Sequence, residues 1–212
     1  MASRLAPKPL ASCVLEVERK FRTIAVRELT QHGGTPPFRS LSRLPAKTIQ
    51  DSYYDRSDVL SAAGAWVRNR DGKWQAKLRL GGDFKNSRFE ELDDARDIAA
   101  CVRRLAGIQG TEADCFGLLP MATFSTRREA WVADSEFLIV LDSMDFGHEV
   151  GEVELQQVLG GEPMSEVQKK ATMEEMDNRI VAFMKRYSWA FAPGHPTGKL
   201  MAYFERMRAS VP

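Results

Sequence analysis

Along much of the chain apolar and polar residues alternate one for one, the period of a β-strand whose two faces meet different surroundings. In CVLEVERKF (13–21), Leu15, Val17 and Phe21 share one face with Arg19, while Glu16, Glu18 and Lys20 share the other. Short alternating segments also predict strands in AWVRNR (65–70), WQAKLRL (74–80), SRFEEL (87–92), ATFSTRREAWV (122–132), EFLIVLDSM (136–144) and EVGEVELQQVL (149–159). Asp71-Gly72, between AWVRNR and WQAKLRL, is a hairpin-turn signal, and Gly81-Gly82 and Gly160-Gly161 close two other strands. The stretch TPPFRSLSRLPAK (35–47) is expected to be irregular because of its prolines.

The period changes to that of a helix in three places. DDARDIAACVRRLAG puts Ile98, Cys101, Val102 and Leu105 on one face and ends at Gly107, a C-cap residue. From Ser165, with Gln168 completing a capping box, a longer segment stacks Met173, Met176, Ile180, Phe183, Met184 and Tyr187 into a core stripe. GKLMAYFERMR aligns Leu200, Tyr203, Phe204 and Met207 on a last short helix. Many antiparallel strands with few helices argue an α+β fold built on a large sheet, sandwich or barrel.

The charge of the strand faces adds more than the bulk composition does. Thirty Lys+Arg against twenty-nine Asp+Glu leave a net charge of +1, so there is no global basic field of the kind that holds nucleic acid. On individual strands, however, the signs separate. Glu16 and Glu18 open the series, Glu152 and Glu154 close it, and between them Trp66, Arg68 and Arg70, then Gln75, Lys77 and Arg79, line up on single faces. Phe89 aligns with Glu91, and Phe124 and Thr126 with Arg128. A wet sheet face would mix the signs, whereas neighbouring carboxylates repel unless a cation lies between them. A closed barrel with these faces inward explains the segregation: the basic wall cradles a polyphosphate, and the Glu pairs hold Mg²⁺ or Mn²⁺. On this reading the tunnel is neutral only when metal and triphosphate are both present. Lys199, at the first turn of the last helix, fits a neighbouring phosphate.

Taken in order, LEVERKF (15–21), SYYD (52–55), WVRNR (66–70), QAKLR (75–79), FEEL (89–92), TRREAW (126–131), LDSMDFGHEVGEVEL (141–155) and GKLMAYF (198–204) resemble the CYTH superfamily, the triphosphate tunnel metalloenzymes, from about residue 14 onward. Within it the chain is most similar to the thiamine triphosphatases. The resemblance implies a closed eight-stranded antiparallel β-barrel with helices packed outside, in a single domain spanning 1–212 with 1–12 as a flexible extension. It implies substrate binding by Lys20, Trp66, Arg68, Arg70, Lys77, Glu91, Arg128 and Lys199, with Trp66 against a thiazolium ring. Glu16, Glu18, Glu152 and Glu154, joined by Asp142, would hold the metal, Mg²⁺ or Mn²⁺; Lys77 and Tyr53 are candidates for proton handling. Where relatives carry an acid two residues before Asp142, this chain has Val140.

The activity implied is hydrolysis of the terminal phosphoanhydride of thiamine triphosphate, with inorganic tripolyphosphate hydrolysis or non-catalytic organic-phosphate binding as alternatives. The expected partner is a small triphosphate, with no nucleic acid and no membrane, for a monomer. GHPTGKL (194–200) lacks the spacing and Ser/Thr of a phosphate loop, and Asp145-Phe146-Gly147 stands without a kinase catalytic loop. His32, His148 and His195 have no ligand spacing. Cys13, Cys101 and Cys115 lack metal-type spacing and favour a reducing compartment, and 1–12 lacks a signal-peptide apolar run, so a cytoplasmic protein is expected.

Overall fold

The computed structural model describes residues 13–83, 85–159 and 164–209; the Gly160-Gly161 turn and the 1–12 extension lie outside them. Eight strands form one closed antiparallel barrel: β1 (Cys13–Phe21), β2 (Leu41–Asp55), β3 (Ala65–Arg70), β4 (Lys73–Gly82), β5 (Asn86–Leu92), β6 (Leu119–Ala133), β7 (Phe137–Met144) and β8 (Glu149–Leu159). Around the barrel the order is β1-β5-β4-β3-β2-β6-β7-β8. Asp71 (φ 50) and Gly72 (φ 83) make the β3–β4 turn, the left-handed pair that a two-residue hairpin requires.

β2 corrects the expectation for residues 35–47. Its 15 residues begin at Leu41 and run through Pro45. The proline is tolerated for two reasons: its ladder with β6 shifts register between Leu44 and Lys47, and β3 joins only from Asp51 onward. A missing N–H is harmless at such an irregularity beside an open edge.

The barrel's outer face is apolar where helices cover it. Helix α3 (Glu166–Arg186) starts with the Ser165/Gln168 capping box and buries Met173, Met176, Ile180 and Phe183 against Leu15, Val17, Ile139, Val153 and Leu155. Each such side chain contributes about 1.5–3 kcal/mol of apolar burial. Arg19, the polar exception on that face of β1, meets Asp177 of α3 at 3.4 Å, and Arg88 reaches the same carboxylate at 2.9 Å. Helix α2 (Ala95–Ala106), capped by Asp94 and Gly107, packs Ile98, Cys101 and Val102 on Val67, Ala76 and Leu78. The four-residue α1 (Val59–Ala62) is too short to have shown a period; it hangs from Asp55, whose carboxylate accepts from the Leu60 and Ser61 N–H groups at 3.0 and 2.9 Å.

Helix α4 (Lys199–Ala209) is placed differently. Its Leu200, Tyr203 and Phe204 lean on Tyr53, Phe124 and Met144, and its first turn closes over the barrel cavity, so Lys199 lies half-buried at the site; Met207, expected on the same stripe, is 40% exposed.

Candidate active site

Because strand side chains alternate, the face opposite the apolar one must fill the barrel. There Glu16, Glu18, Lys20, Tyr53, Trp66, Arg68, Arg70, Lys77, Glu91, Arg128, Glu152, Glu154 and Lys199 surround one cavity of about 850 Å³. Asp142, on the inward face of β7, is the one expected site residue that does not border the cavity. The register explains the segregation of sign: β1 and β8 are neighbours, with Glu18 opposite Glu154 and Lys20 opposite Glu152, while β3 and β4 form the basic side.

The interior does not wait for ligand to balance its charge, which corrects the expectation of a tunnel neutral only when metal and triphosphate are both present. Lys77 Nζ binds Glu16 and lies 3.4 Å from Glu18 and 3.1 Å from Glu91. Lys20 binds Glu18 and stands 3.5 Å from Glu152. Arg70 clasps Asp51 through two 2.7 Å hydrogen bonds. Arg128 clasps Asp142 at 2.8 and 2.7 Å, and Lys199 binds the same carboxylate from α4. Arg68 donates to Gln75 at 2.9 Å and approaches the Tyr53 hydroxyl at 3.5 Å.

Burial opposes the charge of both lysines, but Glu16, Glu18 and Glu91 hold the Lys77 ammonium well above its ordinary range, and Glu18 with Glu152 raises that of Lys20. A lysine held as Lys77 is carries its positive charge among three carboxylates. Asp142 has no exposed surface, and although burial opposes ionisation, Lys199 and Arg128 keep its carboxyl below the usual range. It is therefore an anchor for two cations, where the family pattern implied a metal ligand. Val140 is fully buried on the same strand face, opposite Glu152, and brings no oxygen to the site.

Glu154 stands apart. It is 4% exposed, and among the described residues no cation lies within ion-pair distance of its carboxylate. Burial and the charge of Glu16, then Glu152, push it up to about 8, against the pull of Arg128 and Lys77. Among the described residues no three acids or imidazoles gather around a common point as a finished metal site. A buried carboxylate lacking a counter-ion, beside the oxygens of Glu16, Glu18 and Glu152, nevertheless suits a hard divalent cation.

Asp51 was not singled out by sequence reasoning, although DSYYD sets Asp51, Tyr53 and Asp55 at the same two-residue spacing as the Glu pairs. Gln156, which donates to Glu16 at 2.9 Å, extends the GEVEL alternation by one step.

The structure is a closed eight-stranded barrel around a tunnel lined by opposed acidic and basic walls. The particular family follows from comparison: the CYTH domain matches residues 15–176, and the chain belongs to that family. It is 30% identical over 220 residues to the thiamine-triphosphatases of Macaca fascicularis and of Homo sapiens, covering 94% of this chain and 88% of each relative. A protein from Pyrococcus horikoshii OT3 shares the fold with a TM-score of 0.55 at 18% identity, over 90% of this chain and 99% of its own. A Hippeastrum protein described as having a dominant triphosphatase activity shares it with a TM-score of 0.52 at 16% identity, over 90% and 95%. No helix among the described residues is long and apolar enough to cross a membrane.

Proposed function

We propose that this chain is a metal-assisted triphosphatase that hydrolyses thiamine triphosphate to the diphosphate and phosphate. The observation carrying the proposal is the cavity itself, where Lys20, Arg68, Arg70, Arg128 and Lys199 converge on a space that Glu16, Glu18, Glu91, Glu152 and Glu154 also line. The curated relatives at 30% identity support the substrate.

The cationic side chains bind phosphate oxygens, orient the chain of phosphoryl groups along the tunnel, and spread the charge of a loose transition state. The carboxylates now holding these cations mark where phosphate oxygens would exchange in: the Arg128–Asp142 and Arg70–Asp51 pairs keep each guanidinium aimed and pre-oriented. The α4 cap and the apolar side chains of Tyr53, Phe89 and Leu200 lower the dielectric along part of the wall, which strengthens each of these interactions. Glu16, Glu18, Glu152 and Glu154 would hold Mg²⁺ or Mn²⁺; when bound, the ion supplies Lewis-acid polarisation of phosphate oxygens. The expected working unit is a monomer acting on a small molecule.

A second reading, inorganic tripolyphosphatase, is favoured by one observation: the Trp66 indole, the surface for a thiazolium ring, has the Arg79 guanidinium over it at 4.9 Å. Phosphate release from thiamine triphosphate, tripolyphosphate and ATP, assayed side by side with and without Mg²⁺, tests both. Mg²⁺-dependent turnover led by thiamine triphosphate is expected; turnover led by tripolyphosphate would give the second reading, and none at all would overturn both.

A further inference from the structure

The mouth of the tunnel carries charge that the phosphate-binding wall does not explain. Arg79 follows Gln75 and Lys77 on the inward face of β4, its backbone N–H fixed to the Gly64 carbonyl at 2.8 Å, and its side chain is exposed at the cavity rim. Its guanidinium lies over the Trp66 ring, 4.9 Å from the centroid, while the Phe89 ring stands perpendicular to the same indole, 5.8 Å between centroids. Two more cations, Lys47 and Arg208, border the same cavity, as does Asp58. Among the described residues no carboxylate pairs with Arg79, Lys47 or Arg208 within 4.0 Å.

We propose that Arg79 is a specificity residue that sets how strongly the tunnel discriminates against substrates with a cationic organic end. This rests on the triphosphatase reading and deepens it. Each aromatic face holds one cation, so a thiazolium ring that takes the Trp66 face under Arg79 must first displace the guanidinium already there. The displaced Arg79 stays tethered to β4, a few ångströms away, and repels the incoming positive ring. A substrate ending in phosphate meets the opposite balance: the guanidinium can leave the indole for a phosphate oxygen and bind it in a forked geometry. Lost stacking and added repulsion, each modest at an exposed rim, together make a penalty of about tenfold in affinity for the cationic substrate.

The test compares wild type, R79Q and R79K by calorimetric titration with thiamine triphosphate and with tripolyphosphate in EDTA, and by kcat/KM for both with Mg²⁺. R79Q is expected to tighten thiamine triphosphate and to weaken tripolyphosphate, moving the ratio of the two dissociation constants about tenfold or more toward the thiamine compound. R79K, which keeps charge but stacks less well, falls between. Because Arg79 is exposed, all three should unfold at closely similar temperatures. A ratio unmoved within twofold in R79Q overturns the assignment of Arg79 while leaving the triphosphate tunnel intact. Failure of wild type to bind either compound overturns the tunnel reading itself. Binding without turnover removes only the hydrolase claim, and the shift in the ratio still decides the role of Arg79.

Discussion

Replacing Glu154 by glutamine fixes the site in the neutral form that the native state otherwise gives up only above about pH 8, and the stability effect follows from linkage. The carboxyl is raised from an ordinary 4.5 to about 8. In the unfolded chain it ionises near 4.5, so between these values the unfolded state has released a proton that the native state still holds. Native stability therefore falls as pH rises across this window, by about 1.4 kcal/mol per unit and about 5 kcal/mol in all. Glu16 and Glu152 share the repulsion, so we expect the glutamine variant to gain about 2–5 kcal/mol at pH 9, or about 5–15 °C in Tm for a chain of this size. Thermal unfolding followed by circular dichroism in EDTA, from pH 5 to 9, provides the assay. The wild-type Tm should drop away from that of E154Q as pH rises and recover when millimolar Mg²⁺ is added, while E154Q responds little. Parallel curves for the two proteins, with or without Mg²⁺, would refute the claim that Glu154 is the uncompensated charge.

Asp142→Asn leaves the half-buried Arg128 and Lys199 without their shared carboxylate, Lys199 keeping only Glu152 at 4.0 Å, and a loss of about 3 kcal/mol, the lower end for a broken buried pair, is expected by chemical denaturation. Tripolyphosphate should restore more stability to this variant than to wild type, read as the ligand-induced Tm shift. Gly151→Ala places a methyl 2.1 Å from the ring of Phe21, its partner across β1 and β8, and overpacking of this kind costs about 1–3 kcal/mol; a Tm equal to wild type would show that the ring has room to move. The E16Q/E18Q double variant should lose Mg²⁺-dependent turnover by orders of magnitude in a phosphate-release assay. It should also be destabilised, because Lys77 keeps only Glu91 and Lys20 only Glu152.

That last expectation shows where sequence and structure part. The strand faces were legible because period-two alternation survives wherever one face is apolar, and the segregation of Glu on β1 and β8 from Arg and Lys on β3 and β4 pointed to a closed interior. The N-terminal half of β2 was hidden because it is exposed on most positions and carries Pro45 at a shifted register, so neither alternation nor composition marked it. Pairing across the barrel was also out of reach. Glu16 looks like a repelled carboxylate beside Glu18 until the fold brings Lys77 between them, and Asp142 looks like a metal ligand until Arg128 and Lys199 close on it. Arg79 was visible on the same face as Lys77, but its seat on Trp66 needs the diagonal geometry of β3 against β4.

The central claim is that phosphoryl groups enter the barrel and exchange with its internal carboxylates for the cations. A crystal of the protein soaked with tripolyphosphate tests it directly. The account predicts phosphate oxygens inside the cavity within hydrogen-bond distance of Arg68, Arg128 and Lys199; tripolyphosphate found only on the outer surface, with the cavity side chains still paired among themselves, would contradict it.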